Sequence, residues 1–156
     1  MFKSLQDFFS NSNSSHSVEN HASDTDLKLA AATLMLEVVR ADGEVQDTEI
    51  ATMRKLLRQQ FSLDEADIDN MLELAHASSD DAISLQGFTR EICNNWGNAK
   101  RLRLLEHLWQ IALADETIDA HERHLIRKLA GLLYLNDSEV ARAKAAARIN
   151  LGQTSL

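Results

Sequence analysis

Apolar residues recur every three or four positions along most of the chain after Asp24, which is the spacing of one face of an α-helix. The first such segment follows a candidate N-cap at Ser23 or Asp24, and its single apolar stripe contains Leu27, Ala30, Ala31, Leu34 and Val38. The whole pattern predicts six or seven helices after Asp24. With no proline and only five glycines to form turns, the chain is predicted to be all-α, a single compact bundle.

Three more segments extend this pattern to the middle of the chain. One helix is predicted from about Asp47 to Gln60, and another is opened by Asp64 or Glu65. A fourth ends at Trp96, with Gly97 just past it in the usual position of a left-handed C-cap. The helices that begin at Asp47 and at Asp64 or Glu65 would bury Ile50, Met53, Leu57, Phe61, Ile68, Met71, Leu72 and Ala75.

The second half of the chain contains the most apolar helix and the least apolar one. The segment from Ala99 to Ala114 is apolar on most sides after a basic first turn, so it is predicted to lie in the middle of the bundle. Another core helix contains Leu125, Ile126, Leu129, Ala130 and Leu133. An alanine-rich helix capped by Asn136 and ending near Asn150 buries little and is expected at the edge.

Two stretches match at an offset of 73 residues: Ala41-Asp42-Gly43-Glu44-Val45-Gln46-Asp47-Thr48-Glu49 and Ala114-Asp115-Glu116-Thr117-Ile118-Asp119-Ala120-His121-Glu122. The offset places Asp42 on Asp115 and Glu49 on Glu122. Each stretch lies between two apolar-periodic segments, so each is predicted to join one helix to the next. We call them the first corner (residues 41–49) and the second corner (residues 114–122). They predict a duplicated helix-corner-helix unit.

Helix capping explains some of the acidic residues in these corners. Asp119 with Glu122 fits a capping box, and Asp47 would cap the first copy, with Glu49 in the first turn. Capping does not explain Asp42 and Asp115, which come at the end of the preceding helix, where the helix dipole disfavours an anion.

A divalent cation would explain all of these acids, because hard cations such as Ca²⁺, Mg²⁺ or Mn²⁺ take oxygen ligands. The candidate ligands are Asp42, Glu44, Asp47, Glu49, Asp115, Asp119 and Glu122. A cation-free acidic patch for a basic protein partner is the alternative. The first corner is not a calcium-binding EF-hand loop, because Val38 and Arg40 fall where that loop needs oxygen ligands.

The net charge is −8, and it is unevenly distributed. Residues 24 to 98 contain 6 basic and 15 acidic side chains, whereas residues 99 to 156 contain 9 basic and 7 acidic ones. The acidic half repels nucleic acid and attracts cations or basic partners. Nucleic-acid binding is therefore not expected.

The first 23 residues differ from the rest of the chain. Residues 1–9 form a short amphipathic pattern with Phe2, Leu5, Phe8 and Phe9 on one face, and residues 10–23 are rich in Ser and Asn, as in a flexible linker. The compact domain is predicted over residues 24–150, with a tail at 151–156. The N-terminal helix supports a second hypothesis, a structural adaptor that docks on a membrane or on a larger protein.

Other chemistry has little support in the sequence. No nucleotide-binding or hydrolase motif is present, so an enzyme is not expected. His107 is predicted to be a satisfied histidine at the edge of the core. Cys93, the single cysteine, is predicted to be a buried, reduced thiol, which suits a cytoplasmic protein.

The two acidic corners, with Leu135-Asn136-Asp137-Ser138-Glu139 after the second, resemble the TerB-like family over residues 24 to 150. This family includes the tellurite-resistance protein TerB and a domain of membrane-anchored DnaJ-type co-chaperones. The resemblance implies a bundle of seven or eight helices, a cation-binding or acidic interaction surface near Asp42, Glu49, Asp115 and Glu122, and a role in a stress response. Glu116 stands where the first corner has Gly43, so the second corner departs from the common pattern.

Overall fold

The computed structural model describes residues 24–41, 43, 45, 47–80, 85–114 and 118–152, without the side chains of 76 and 78–80. The predicted N-terminal helix, the linker and residues 153–156 lie outside these residues. The described part contains seven helices and no strand: α1 (Asp24–Val39), α2 (Asp47–Gln60), α3 (Glu65–Asp80), α4 (Leu85–Asn95), α5 (Asn98–Ala112), α6 (Ala120–Leu132) and α7 (Asp137–Asn150). The predicted all-α class is confirmed, and none of these helices is long and apolar enough to cross a membrane.

Helix α1 lies at the centre of the bundle and contacts α2, α3, α4, α5 and α6. The prediction of a single apolar stripe on α1 is wrong, because Leu29, Ala32, Met35 and Val39 are buried as well. Neighbours on every side remove most of the helix from water. The second half of α5 is also buried on most sides, as its sequence predicts.

The helix contacts repeat in the two halves of the chain. Helix α1 packs on α2 and α3, and α5 packs on α6 and α7 in the corresponding way. Contacts between the halves correspond too, since α2 packs on α5 and α6 packs on α1. Helix α4 has no counterpart and packs on α1 and α6. The predicted duplication of the helix-corner-helix unit is therefore present in the fold.

Helix α7 lies at the edge, as predicted, and packs mainly on α5. Its small side chains Ala143 and Ala147 are buried, while the ammonium of Lys144 lies 5.1 Å from the ring centroid of Trp109. The Glu139 N–H donates a hydrogen bond of 2.8 Å to the Asn136 side chain, so Asn136 is the predicted N-cap.

Gly97 does not have its predicted role. Its φ of −73° and ψ of 176° are extended rather than left-handed, and it is the N-cap residue of α5 instead of the C-cap of α4. Only two residues separate α4 from α5, so this glycine begins the next helix. Asp64 caps α3, since its carboxylate accepts a hydrogen bond of 2.8 Å from the Asp67 N–H.

Candidate functional site

The two corners begin with the same backbone hydrogen bonds. In the first corner, the Arg40 N–H bonds to the Leu36 carbonyl (3.0 Å) and the Ala41 N–H to the Val38 carbonyl (3.3 Å). The second corner has the corresponding bonds, with distances of 2.9 Å from Leu113 to Trp109 and 3.2 Å from Ala114 to Ile111. The donor and the acceptor of each bond in the second corner lie 73 residues after those of the corresponding bond in the first corner. The two helices therefore end in the same way.

The helices that follow the corners also begin in the same register. Helix α2 begins at Asp47 and α6 at Ala120, so Glu49 and Glu122 are each the third residue of their helix. The prediction that Asp47 caps α2 is wrong, because Asp47 is already the first residue of the helix and its side chain is exposed. The position that matches the cap Asp119 is residue 46.

The second corner contains a complete capping box. Asp119 accepts hydrogen bonds from the His121 N–H (2.7 Å) and pairs with His121 Nδ1 (2.9 Å). The Glu122 carboxylate accepts from the Asp119 N–H at 3.3 Å. The His121 N–H, above all, lowers the pKa of Asp119 from its usual value. Part of the acidity of the second corner is therefore explained by helix capping, as the sequence predicts.

The shared glutamates are buried, which is unusual for an ionisable side chain. Glu49 is 1% exposed and Glu122 is 2% exposed. Burial of a carboxylate is costly unless it is paired or hydrogen-bonded. A position that buries a glutamate in both copies therefore indicates that each corner is built around this carboxylate.

The structure describes four of the seven predicted ligands. Asp47, Glu49, Asp119 and Glu122 are described, whereas Asp42, Glu44 and Asp115 lie outside the described residues. Among the described residues, no three acidic, histidine or cysteine side chains are grouped in a way that could hold a metal ion. Val38 is buried inside α1, which agrees with the conclusion that the first corner is not an EF-hand loop.

The direction of α1 and α5 decides where the corners lie. Asp24 and Lys28 from the start of α1 line the same cavity as Lys100 and Arg103 from the start of α5. The two helices also pack on each other, so they run in broadly the same direction. Both corners follow the opposite, C-terminal ends of these helices and thus lie away from this cavity.

Two single residues differ from their predicted environments. His107 is buried, with 5% exposed, but its Nδ1 makes no hydrogen bond with any described residue, so the predicted satisfied histidine is wrong. Cys93 is only partly buried; its Sγ lies 3.5 Å from the Leu132 carbonyl oxygen. Desolvation raises the pKa of the Cys93 thiol, which keeps it protonated and unreactive.

The cavity between α1 and α5 is the feature that the sequence pattern missed. It has a volume of about 400 Å³ and is lined by basic and aromatic side chains from several helices. The only signal in the sequence is the basic first turn of α5. Trp96 directly precedes that turn, but no local spacing brings Phe61 to it, because Phe61 belongs to a distant part of the chain.

An all-α bundle with a duplicated helix-corner-helix unit and a buried glutamate in each corner defines the class of this protein. The chain matches the family model of the tellurite resistance protein TerB over residues 28–145, and it belongs to this family. Comparisons with curated proteins and with solved structures give no match.

Proposed function

We propose that this TerB-family protein is a binding module, not an enzyme, and that its two acidic corners bind a divalent cation such as Ca²⁺, Mg²⁺ or Mn²⁺. The observation that supports this proposal most is the matched burial of Glu49 and Glu122 at the same position of two corresponding helices. Both carboxylates have partners within the fold, and Glu122 accepts a hydrogen bond from the Asp119 N–H. A cation near the corner would add a compensating charge for the acids that are gathered around these buried positions.

The sequence beside the buried glutamates supports the same proposal. Asp42 and Asp115 each come three residues after the end of α1 and α5, where the helix dipole is unfavourable for an anion. Capping explains Asp119 and Glu122 but not these two aspartates. Together the seven corner acids offer the oxygen ligands that Ca²⁺ and Mg²⁺ prefer.

Thermal unfolding with and without divalent cations tests the proposal. A ligand that binds only the native state at about a hundredfold excess over its Kd stabilises that state by about 2.7 kcal/mol. For a chain of this length we expect Ca²⁺, Mg²⁺ or Mn²⁺ to raise the Tm by about 5 to 10 °C. The double variant Asp42→Asn with Asp115→Asn should lose this increase.

Two controls separate binding from screening of the acidic charge. Potassium chloride at equal ionic strength measures the stabilisation that comes from screening alone. A variant with Glu73→Gln and Asp137→Asn, two exposed acids outside the corners, removes the same charge and should keep the full cation effect. Equal Tm increases for the cations and for potassium chloride would refute the cation site.

A basic protein partner is the other occupant of the same corners. The divalent cations would then fail to raise the Tm, while oligolysine would bind wild type but not the Asp42→Asn, Asp115→Asn variant. This result would mean that the corners present negative charge to a basic partner instead. The family name connects this module to tellurite resistance. We therefore expect cells that express wild type to tolerate more tellurite than cells that express the corner variant.

A further inference from the structure

The cavity between the starts of α1 and α5 has an opposite character to the corners. Three cations, Lys28, Lys100 and Arg103, line it together with a single carboxylate, Asp24. The whole protein has a net charge of −8, and Lys100 and Arg103 belong to its basic half, in which residues 99 to 156 contain 9 basic and 7 acidic side chains. A volume of about 400 Å³ is within the range of small-molecule sites.

The three cations differ in the bonds that they make within the fold. Lys28 bonds to the Asp24 carboxylate at 3.1 Å and to the Phe61 carbonyl at 3.0 Å, so it holds α1 against the end of α2. Lys100 and Arg103 form no salt bridge or side-chain hydrogen bond with a described residue. Lys100 lies in the first turn of α5, where the helix dipole disfavours a cation, and Arg103 lies in the second turn.

Arg101, in the same part of α5, has a structural role that Lys100 and Arg103 do not share. Its guanidinium donates to the Trp96 carbonyl at 3.2 Å and to the Leu133 carbonyl at 2.6 Å. Arg101 therefore holds α5 to the end of α6. Lys100 and Arg103 make no such bonds and face the cavity instead.

An aromatic wall lies next to the two available cations. The rings of Phe61 and Trp96 have centroids 6.4 Å apart and are tilted by 53°. The Lys100 ammonium lies 5.6 Å from the centroid of the Trp96 ring. A flat apolar group can stack on this wall while its charged end remains within reach of Lys100 and Arg103.

His107 also lines the cavity. The residue is only 5% exposed, and its Nδ1 is buried without a hydrogen-bond partner among the described residues. Because this nitrogen is buried, the His107 ring contributes to the wall of the cavity and not to the hydrogen bonding of a ligand.

We propose that this cavity binds a small organic anion, namely a carboxylate, sulfonate or phosphate attached to a flat apolar body. Lys100 and Arg103 bind the anionic group, and Phe61 and Trp96 contact the apolar body. This site is separate from the acidic corners and does not depend on their function.

Three probes separate the contributions of charge and apolar surface. The dye 8-anilinonaphthalene-1-sulfonate contains both, N-phenyl-1-naphthylamine has the same rings without the sulfonate, and inorganic phosphate has only the charge. Fluorescence titration measures the affinity of the protein for the two dyes, and calorimetry measures its affinity for phosphate. We expect one saturable site for the sulfonate, at least about tenfold tighter than for the neutral dye, because a charge-assisted hydrogen bond has that magnitude. Phosphate should bind more weakly than the sulfonate dye.

A pair of variants assigns the binding to this cavity. Lys100→Ala with Arg103→Ala should weaken binding of the sulfonate dye by at least about tenfold and leave the neutral dye unchanged. Arg127→Ala with Lys128→Ala removes two exposed cations of α6 outside the cavity and should leave both dyes unchanged. Near-ultraviolet circular dichroism of each variant confirms native packing, because loosely packed proteins also bind this dye.

Amide spectra of the wild-type protein provide a test that needs no variant. The sulfonate dye should shift the Trp96 indole N–H signal and the amides of Phe61, Lys100 and Arg103. Equal affinity for the two dyes, equal effects of the two variant pairs, or shifts confined to another face would each overturn the proposal.

Discussion

Helix α5 begins at a basic cavity and ends at an acidic corner, and the charged side chains at its two ends have different partners. At the second corner, Asp119 and Glu122 bond to backbone N–H groups at the start of α6. At the cavity, Lys100 lies at the positive end of the α5 dipole, Arg103 lies in the next turn, and neither has a hydrogen-bond partner among the described residues.

This contrast separates charges that complete a helix from charges that are available to a ligand. A carboxylate at the start of a helix lowers the free energy of the fold by itself, because it satisfies N–H groups. A cation at the same place opposes the dipole and needs another reason. The cavity is therefore a stronger indication of a ligand than the capped part of the second corner.

The largest effect on stability is expected at the cavity, from His107. Burial, with a smaller contribution from Arg103, lowers the pKa of His107 from 6.5 to about 4. The unfolded chain thus binds a proton between pH 6.5 and about 4 that the native state does not. The free energy of unfolding is therefore highest above pH 6.5. It falls by about 3 kcal/mol as the pH falls towards 4.

Urea unfolding at pH 7 and pH 4.5 measures this effect. His107→Gln removes the titrating group, so the variant should lose much less stability than wild type over this pH range. His124→Gln changes an exposed histidine and should behave like wild type. Parallel pH profiles for wild type and His107→Gln would show that the cavity histidine is not buried in its neutral form.

An intermediate effect is expected at the first corner, from Gly43. Its φ of +84° is in the left-handed region, and a Cβ there would meet no atom within 4 Å. Gly43→Ala should therefore destabilise the protein through backbone strain alone, by about 1 to 2 kcal/mol. Urea unfolding of this variant measures the loss.

Gly131→Ala is the matched control, because Gly131 lies inside α6 with equal open space around it. Alanine favours a helix over glycine, so this change should stabilise by about 0.5 to 1 kcal/mol. The two alanine substitutions should thus have opposite signs. A neutral or stabilising Gly43→Ala would mean that the first corner does not need a left-handed residue.

The smallest effect is expected at the second corner, from Asp119. Asp119→Ala should lower the Tm by a few degrees at pH 7, whereas Asp119→Asn, which also caps helices, should keep most of the stability. The folded pKa of Asp119 is lowered, so any advantage of Asp over Asn is present above the unfolded pKa. It should disappear as the pH falls through the folded pKa, and melting curves from pH 7 to pH 2.5 test this.

Much of the fold could be predicted because its signals are local. The bounds of α2 are those predicted, and the capping box of Asp119 and Glu122 is present. The offset of 73 residues predicted two corners that share their backbone hydrogen bonds. The candidate cation site stays a prediction, and three of its seven acids, Asp42, Glu44 and Asp115, lie outside the described residues.

The sequence-based predictions of helix ends and of burial were wrong where a neighbouring element determines the local structure. The sequence around Gly97 is that of a helix end, but the nearby start of α5 requires an extended residue there. The pattern of α1 predicts one buried face, but contacts with five other helices bury nearly all of it.

The amino-acid sequence by itself determined the helices, their duplication and the positions of the acids, since periodicity, capping and repetition act between residues close in the chain. Only the tertiary structure decided that α1 is central, that Glu49 and Glu122 are buried, and that Phe61, Trp96, Lys100 and His107 surround one cavity. Burial depends on which distant segments cover a side chain, and local spacing does not encode that.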